Sequence, residues 1–111
     1  TAEDVIAGVR QLIDKAHTHG IKVMGGTLTA IEGSGYYTES AEAVRQMVNT
    51  WIRSGGAFDA VVDFDAATRD AANPKKFRDE LDSGDHLHPN DAGYKIMAES
   101  LDLSFFGVGK K

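Results

Sequence analysis

The chain has 111 residues and carries 12 Lys plus Arg against 17 Asp plus Glu, a formal net charge of −5. This length fits one domain, and 41% apolar with 26% charged residues is the composition of a globular chain, so disorder is excluded. The acidic balance shows no basic stripe, no apolar run approaches the roughly 20 residues that span a bilayer, and cysteine is absent, which argues against nucleic-acid and membrane partners and removes disulfides, thiol nucleophiles and thiolate metal sites.

The periodicity of Val5, Ile6, Val9, Leu12, Ile13 and Ala16 predicts an amphipathic helix over 2–19. Glu3 and Asp4 suit its positive end, and Lys15, His17 and His19 its negative end. Thr1-Ala2-Glu3-Asp4 reads as a helix start and not as a signal peptide, while the compartment is left open. Gly20 is placed to close the helix in a left-handed conformation. A strand is expected over 21–28, and a glycine-bearing loop with Tyr36 and Tyr37 over 29–38.

A second helix is expected over 39–53, with Ala41, Val44, Met47, Val48, Trp51 and Ile52 on one face. Thr38 or Ser40 would be its N-cap, and Met47 and Trp51 are read as core. A second strand is expected over 60–64, then a turn or short helix over 65–72 and a helical turn opened by Asn73-Pro74. The last helix starts at the N-cap Asn90, with Ile96, Met97 and Leu101 facing inward. Phe105 and Phe106 would pack back on the sheet or on further chain, and Lys110 and Lys111 form a solvated tail. The order helix–strand–helix–strand–loop–helix argues an α/β fold with a parallel sheet. Two strands make a poor sheet, so the first strand is expected to have a neighbour on each side.

The chemistry concentrates in 84–94. Asp85 and His88 are three apart in a segment that must turn before a helix. This spacing can bring the carboxylate to one imidazole nitrogen and leave the other free, which fixes the tautomer and stabilises the imidazolium. The plainer alternative is an exposed turn in which the carboxylate caps a backbone amide. His86 reads as a solvent-facing neighbour, with a zinc-type His86–His88 site as its sharper alternative. Asp63 and Asp65 read as a strand end that caps the next turn, with a divalent cation as the alternative.

Asp85-x-x-His88-Pro89-Asn90 followed by Ala92-Gly93-Tyr94 resembles the last motif block of the SGNH hydrolases, the GDSL-type lipases and esterases. Ala16-His17-Thr18-His19-Gly20, Gly26-Thr27-Leu28 and Val62-Asp63-Phe64-Asp65 resemble the family's approach to that block. The resemblance covers essentially the whole chain, 1–111, as the C-terminal portion of a single flavodoxin-like α/β/α domain. It implies serine-dependent hydrolysis of a carboxylic ester, with His88 as general base, Asp85 as orienting acid, and no cofactor or metal. The family's nucleophile lies in a Gly-Asp-Ser block, and its oxyanion hole draws on a Gly-x-Asn-Asp block. Neither block is present among these residues. A base without a nucleophile or oxyanion donors does not hydrolyse esters, so the implied partners are an ester and an N-terminal portion carrying the serine, glycine and asparagine blocks. The runner-up is a non-catalytic α/β module that pairs through its exposed strand edge, with edge-strand dimerisation as its form in isolation.

Overall fold

The computed structural model describes residues 1–107. Helix α1 (Ala2–Thr18) leads through Gly20, at φ 70°, into strand β1 (Met24–Gly26). Helix α2 (Glu39–Ser54) crosses to strand β2 (Ala60–Val62), and the short helix α3 (Phe64–Thr68) comes directly after it. A 3-10 turn at Asp79–Leu81, helix α4 (Asp91–Glu99) and a 3-10 turn at Leu103–Phe106 complete the described chain. The two strands pair in parallel, with Met24 opposite Ala60, Gly25 opposite Val61 and Gly26 opposite Val62. The class is α/β, a two-stranded parallel sheet with flanking helices, as the element order predicts. Lys110 and Lys111 lie outside the described residues.

The helices stand close to their expected positions because their caps are in the sequence. The Thr1 hydroxyl accepts the Asp4 amide, Thr38 accepts the Ala41 amide, and Asn90 accepts the Gly93 amide. The strands are shorter than expected. Above Met24 the Val23 amide donates to the Asp59 carboxylate, and below Gly26 the backbone of Leu28 is taken by a side chain. The second strand stops at Val62 because Asp63 caps α3 by accepting the Ala66 amide. Asn73-Pro74 opens a single turn, closed by the Lys76 amide on the Asn73 carbonyl at 3.2 Å, which does not continue as a helix. There Asp70 accepts the amides of Ala72 and Asn73, and the chain returns to bridge Arg69 with Phe77.

Helix α1 packs on α2 through Ala2, Val48 and Ile52, with Ile6, Val44, Trp51 and Phe58 around them. Arg10 lies over the Trp51 ring, 5.1 Å from its centroid, and Phe58 meets the same ring edge-on. The apolar stripes are wider than the packed faces. Leu12 is 69% exposed and Met47 51%, so Met47 is not core, while Trp51 is half-buried. Ile96, Met97 and Leu101 are half-buried against the α3–α4 side, where Phe77 and Leu81 are fully enclosed. Phe105 and Phe106 stack edge-on against each other, and Phe106 stays exposed.

Gly93 fixes how the start of α4 sits on the turn that carries the site. A Cβ there would stand 2.6 Å from the Pro89 Cβ and 2.8 Å from the Leu81 carbonyl oxygen. In an open helix Gly→Ala stabilises by up to about 1 kcal/mol. Here the overlap with backbone reverses the sign. Gly93→Ala is expected to destabilise the protein by about 1–3 kcal/mol, read from the urea unfolding midpoint.

A candidate acid–base site before helix α4

The segment 82–90 is closed at its base by backbone. Ser83 donates its amide to the His88 carbonyl, Asn90 donates its own to the Leu81 carbonyl, and Asp82 bridges Pro89. Inside this ring the Asp85 carboxylate has two separate tasks. Its Oδ1 accepts the amides of Leu87 and His88, at 2.9 and 2.8 Å, and the Ser83 hydroxyl at 3.0 Å. Its Oδ2 meets His88 Nδ1 at 2.6 Å. The capping role and the imidazole-orienting role, alternatives from sequence, are thus held by the two oxygens of one group.

An ionised carboxylate at Nδ1 selects the tautomer with its proton on Nδ1. The Nε2 lone pair is then left for a substrate proton, and Nε2 has no hydrogen bond among the described residues. The bond from His88, followed by the His88 and Leu87 amides, holds the Asp85 carboxyl well below the usual carboxylate range. The pair is open to solvent, with side-chain exposures of 49% for Asp85 and 63% for His88.

His86 is more than a solvent-facing neighbour. Its Nδ1 lies 2.6 Å from Asp82 Oδ2, so a second aspartate–histidine pair stands beside the first. Nothing in the spacing of Asp82 and His86 singles this pair out. Among the described residues no group of three or more His, Asp or Glu could hold a metal ion. His17 is likewise not only a helix-end charge, since its Nε2 contacts the Asp59 carboxylate at 2.7 Å.

Leu87, between the two histidines, lines a cleft of about 330 Å³ with Leu28, Thr29, Ile31, Ala41, Val44 and Arg45. Two of these lining residues, Leu28 and Arg45, belong to a buried polar network. Asn49 accepts the Leu28 amide at 2.7 Å and donates to the Leu28 carbonyl at 2.9 Å, replacing a strand partner for that residue. Arg45 is wholly engaged by Glu42, Asp65 and the carbonyls of Leu28 and Pro74. The fully buried Asp65 also takes Arg53 and Arg69, and Arg53 pairs with Asp63. Asp63 and Asp65 therefore spend their oxygens on guanidinium groups, which leaves the cation reading of these two aspartates without support. Tyr36 is exposed, and Tyr37 is partly covered.

The described chain thus carries an aspartate-oriented histidine just before the N-cap of α4, an arrangement that can accept and return a proton. The chain belongs to the GDSL-like lipase/acylhydrolase family, whose model matches residues 1–96. The fold is similar to that of a protein from Desulfitobacterium hafniense DCB-2 described as a lipolytic protein of the G-D-S-L family, with a TM-score of 0.71 at 20% identity over 90% of this chain. This chain spans about half of that structure, 53% of its length. A comparison with curated proteins returns no match.

Proposed function

We propose that these 111 residues are the C-terminal portion of an SGNH-type serine esterase or acylhydrolase domain and supply the acid–base half of its catalytic site. The observation that carries the reading is the 2.6 Å contact between Asp85 Oδ2 and His88 Nδ1, with Nε2 unencumbered. Family membership and the cleft beside Leu87 support it.

In the proposed reaction His88 Nε2 takes the proton of a serine hydroxyl as its oxygen attacks the ester carbonyl carbon. Asp85 stabilises the imidazolium that results. Collapse of the tetrahedral adduct breaks the bond to the alcohol oxygen, and His88 returns the proton to that leaving oxygen. A water then gives a proton to Nε2 as its oxygen attacks the acyl-serine carbonyl carbon; the bond to the serine oxygen breaks, Nε2 returns the proton to that oxygen, and the acid leaves. The nucleophile and the oxyanion donors belong to a partner segment carrying the family's Gly-Asp-Ser and Gly-x-Asn-Asp blocks. That segment supplies a strand to the open edge of β1, which pairs only with β2 among the described residues. It also covers apolar surface such as Val5, Leu12 and Ile21. The same open edge underlies the second reading, an interaction module or edge-paired dimer; the Asp85–His88 geometry and the family favour the enzyme.

Labelling the purified protein with a serine-reactive fluorophosphonate and mapping the adduct tests this. The expected adduct lies on a serine outside these 111 residues, on the same or a co-purifying polypeptide. An adduct on Ser34, Ser40, Ser54, Ser83, Ser100 or Ser104 would place the nucleophile in this chain and overturn the mapping. No adduct at all would favour the module.

A further inference from the structure

The loop 83–88 hangs from two carboxylates, and only one of them touches His88. The other, Asp82, sits at the base of the loop with its side chain 10% exposed. Its Oδ1 accepts the amides of Gly84 at 2.8 Å and His86 at 3.1 Å. Its Oδ2 holds His86 Nδ1 at 2.6 Å. Three of the bonds that shape the first half of the loop therefore converge on one side chain. Asp85 enters the site from that half.

His86 is the one non-glycine residue with positive φ among those described, at 61°. For a residue with a Cβ this conformation is strained, and it persists only where surrounding contacts impose it. Two such contacts are present. Asp82 grips both the amide and the ring of His86. On the other side the ring lies against Gly33, in the loop after β1, where a Cβ would stand 2.9 Å from the ring Cγ. Gly33 has φ 97°, so both its backbone and its bare α-carbon suit the position.

We propose that Asp82 and His86 are positioning residues. They lock the loop 83–88 against Gly33 in the one shape that aims Asp85 at His88. The proposal rests on Asp85–His88 being the acid–base pair. The hydrogen bond to the His88 ring comes from Asp85 and not from Asp82 or His86, so neither of these two is assigned a part in proton transfer.

The test is amide hydrogen exchange together with the low-field NMR resonance of the His88 Nδ1 proton. The amides of Leu87 and His88 are bonded to Asp85 and not to Asp82. Asp82→Ala is expected to raise their exchange about tenfold or more and to broaden the Nδ1 resonance beyond detection, with exchange in α2 unchanged. Asp82→Asn keeps an oxygen for the two amides and is expected to restore part of the protection. His86→Asn tolerates positive φ and can donate to Asp82, so it should stay near wild type, while His86→Ala should behave like Asp82→Ala.

Unchanged protection and an intact resonance in Asp82→Ala would overturn the proposal and leave the Asp85–His88 reading standing. If Asp82→Ala raises exchange in α2 as well, the His86 pair decides, and equal protection in His86→Asn and His86→Ala overturns it. Asp85→Asn is the control. Survival of the resonance there would sink the underlying pair, and the proposal with it.

Discussion

On the proposed mechanism, replacing His88 with alanine in a protein that also carries the serine block is expected to lower ester turnover by about 10⁴–10⁶-fold, with KM changed far less. The magnitude reflects what the proposed mechanism asks of the side chain. Without Nε2 the serine keeps its proton and the leaving alkoxide receives none, so both halves of the reaction lose their acid–base partner. Asp85→Asn is expected to cost on the order of 10⁴, because an amide at Nδ1 no longer holds the ring in the tautomer that leaves Nε2 basic. It also weakens the acceptor for the Leu87 and His88 amides, so the loop loosens as the charge is lost. His86→Ala acts only through the loop and is expected to cost about tenfold. Steady-state kinetics on a simple aryl ester separates these three outcomes. Equal losses at positions 86 and 88 would make the two imidazoles a joint ligand set and contradict the account.

Removing Asp65 is expected to be the most destabilising single change away from the site, by roughly 3–5 kcal/mol for Asp65→Ala. The carboxylate is fully buried and takes Arg45 at 2.7 Å, Arg53 at 2.9 Å and Arg69 at 3.0 Å. Its amide donates to the Thr27 hydroxyl, which in turn donates to Asp63. Truncation leaves Arg45 buried with Glu42 as its only carboxylate partner. The exposed Lys76–Asp79 pair sets the contrast, since breaking it should cost under about 1 kcal/mol. Urea midpoints at constant slope read both values.

The same network gives a pH dependence. Hydrogen bonds from Arg53, opposed by burial, hold the Asp63 carboxyl well below its ordinary range. At Glu42 burial pushes the carboxyl up, but the bonds from Arg45 and Gln46 outweigh it and the net direction is down. Carboxyls lowered by folding contribute stability that is complete above the unfolded value of about 4, and that stability is lost as pH falls through the folded values. Acid unfolding should therefore begin below about pH 4, and the Asp63→Asn variant should show a shallower dependence there.

What could be read from the sequence was local. Helices α1, α2 and α4 carry both periodicity and caps within a few residues, and Thr38 and Asn90 cap where the sequence places them. The Asp85–His88 contact was legible for the same reason, with its partners three positions apart in a segment that must turn before a helix. Strand lengths were not legible, because a ladder extends only as far as its neighbour. Residues 21–28 have strand composition throughout, but only Met24–Gly26 pair in register with β2. The buried network was equally hidden. Arg45 and Asp65 are 20 residues apart, and Asn49 reaches Leu28 across 21. An arginine on an amphipathic helix reads as solvated until the fold shows what covers it. The positive φ of His86 left no trace either, since glycine is the usual signal for that conformation and here it stands at Gly33, on the other side of the contact.

In the proposed site His88, oriented by Asp85, activates a serine supplied by a partner segment. The rate of fluorophosphonate labelling reads that activation without requiring the natural ester. His88→Ala is expected to slow labelling of the nucleophile by at least about 10³-fold in a protein that remains folded. Labelling of His88→Ala at the wild-type rate would show a serine activated without this histidine and would contradict the account.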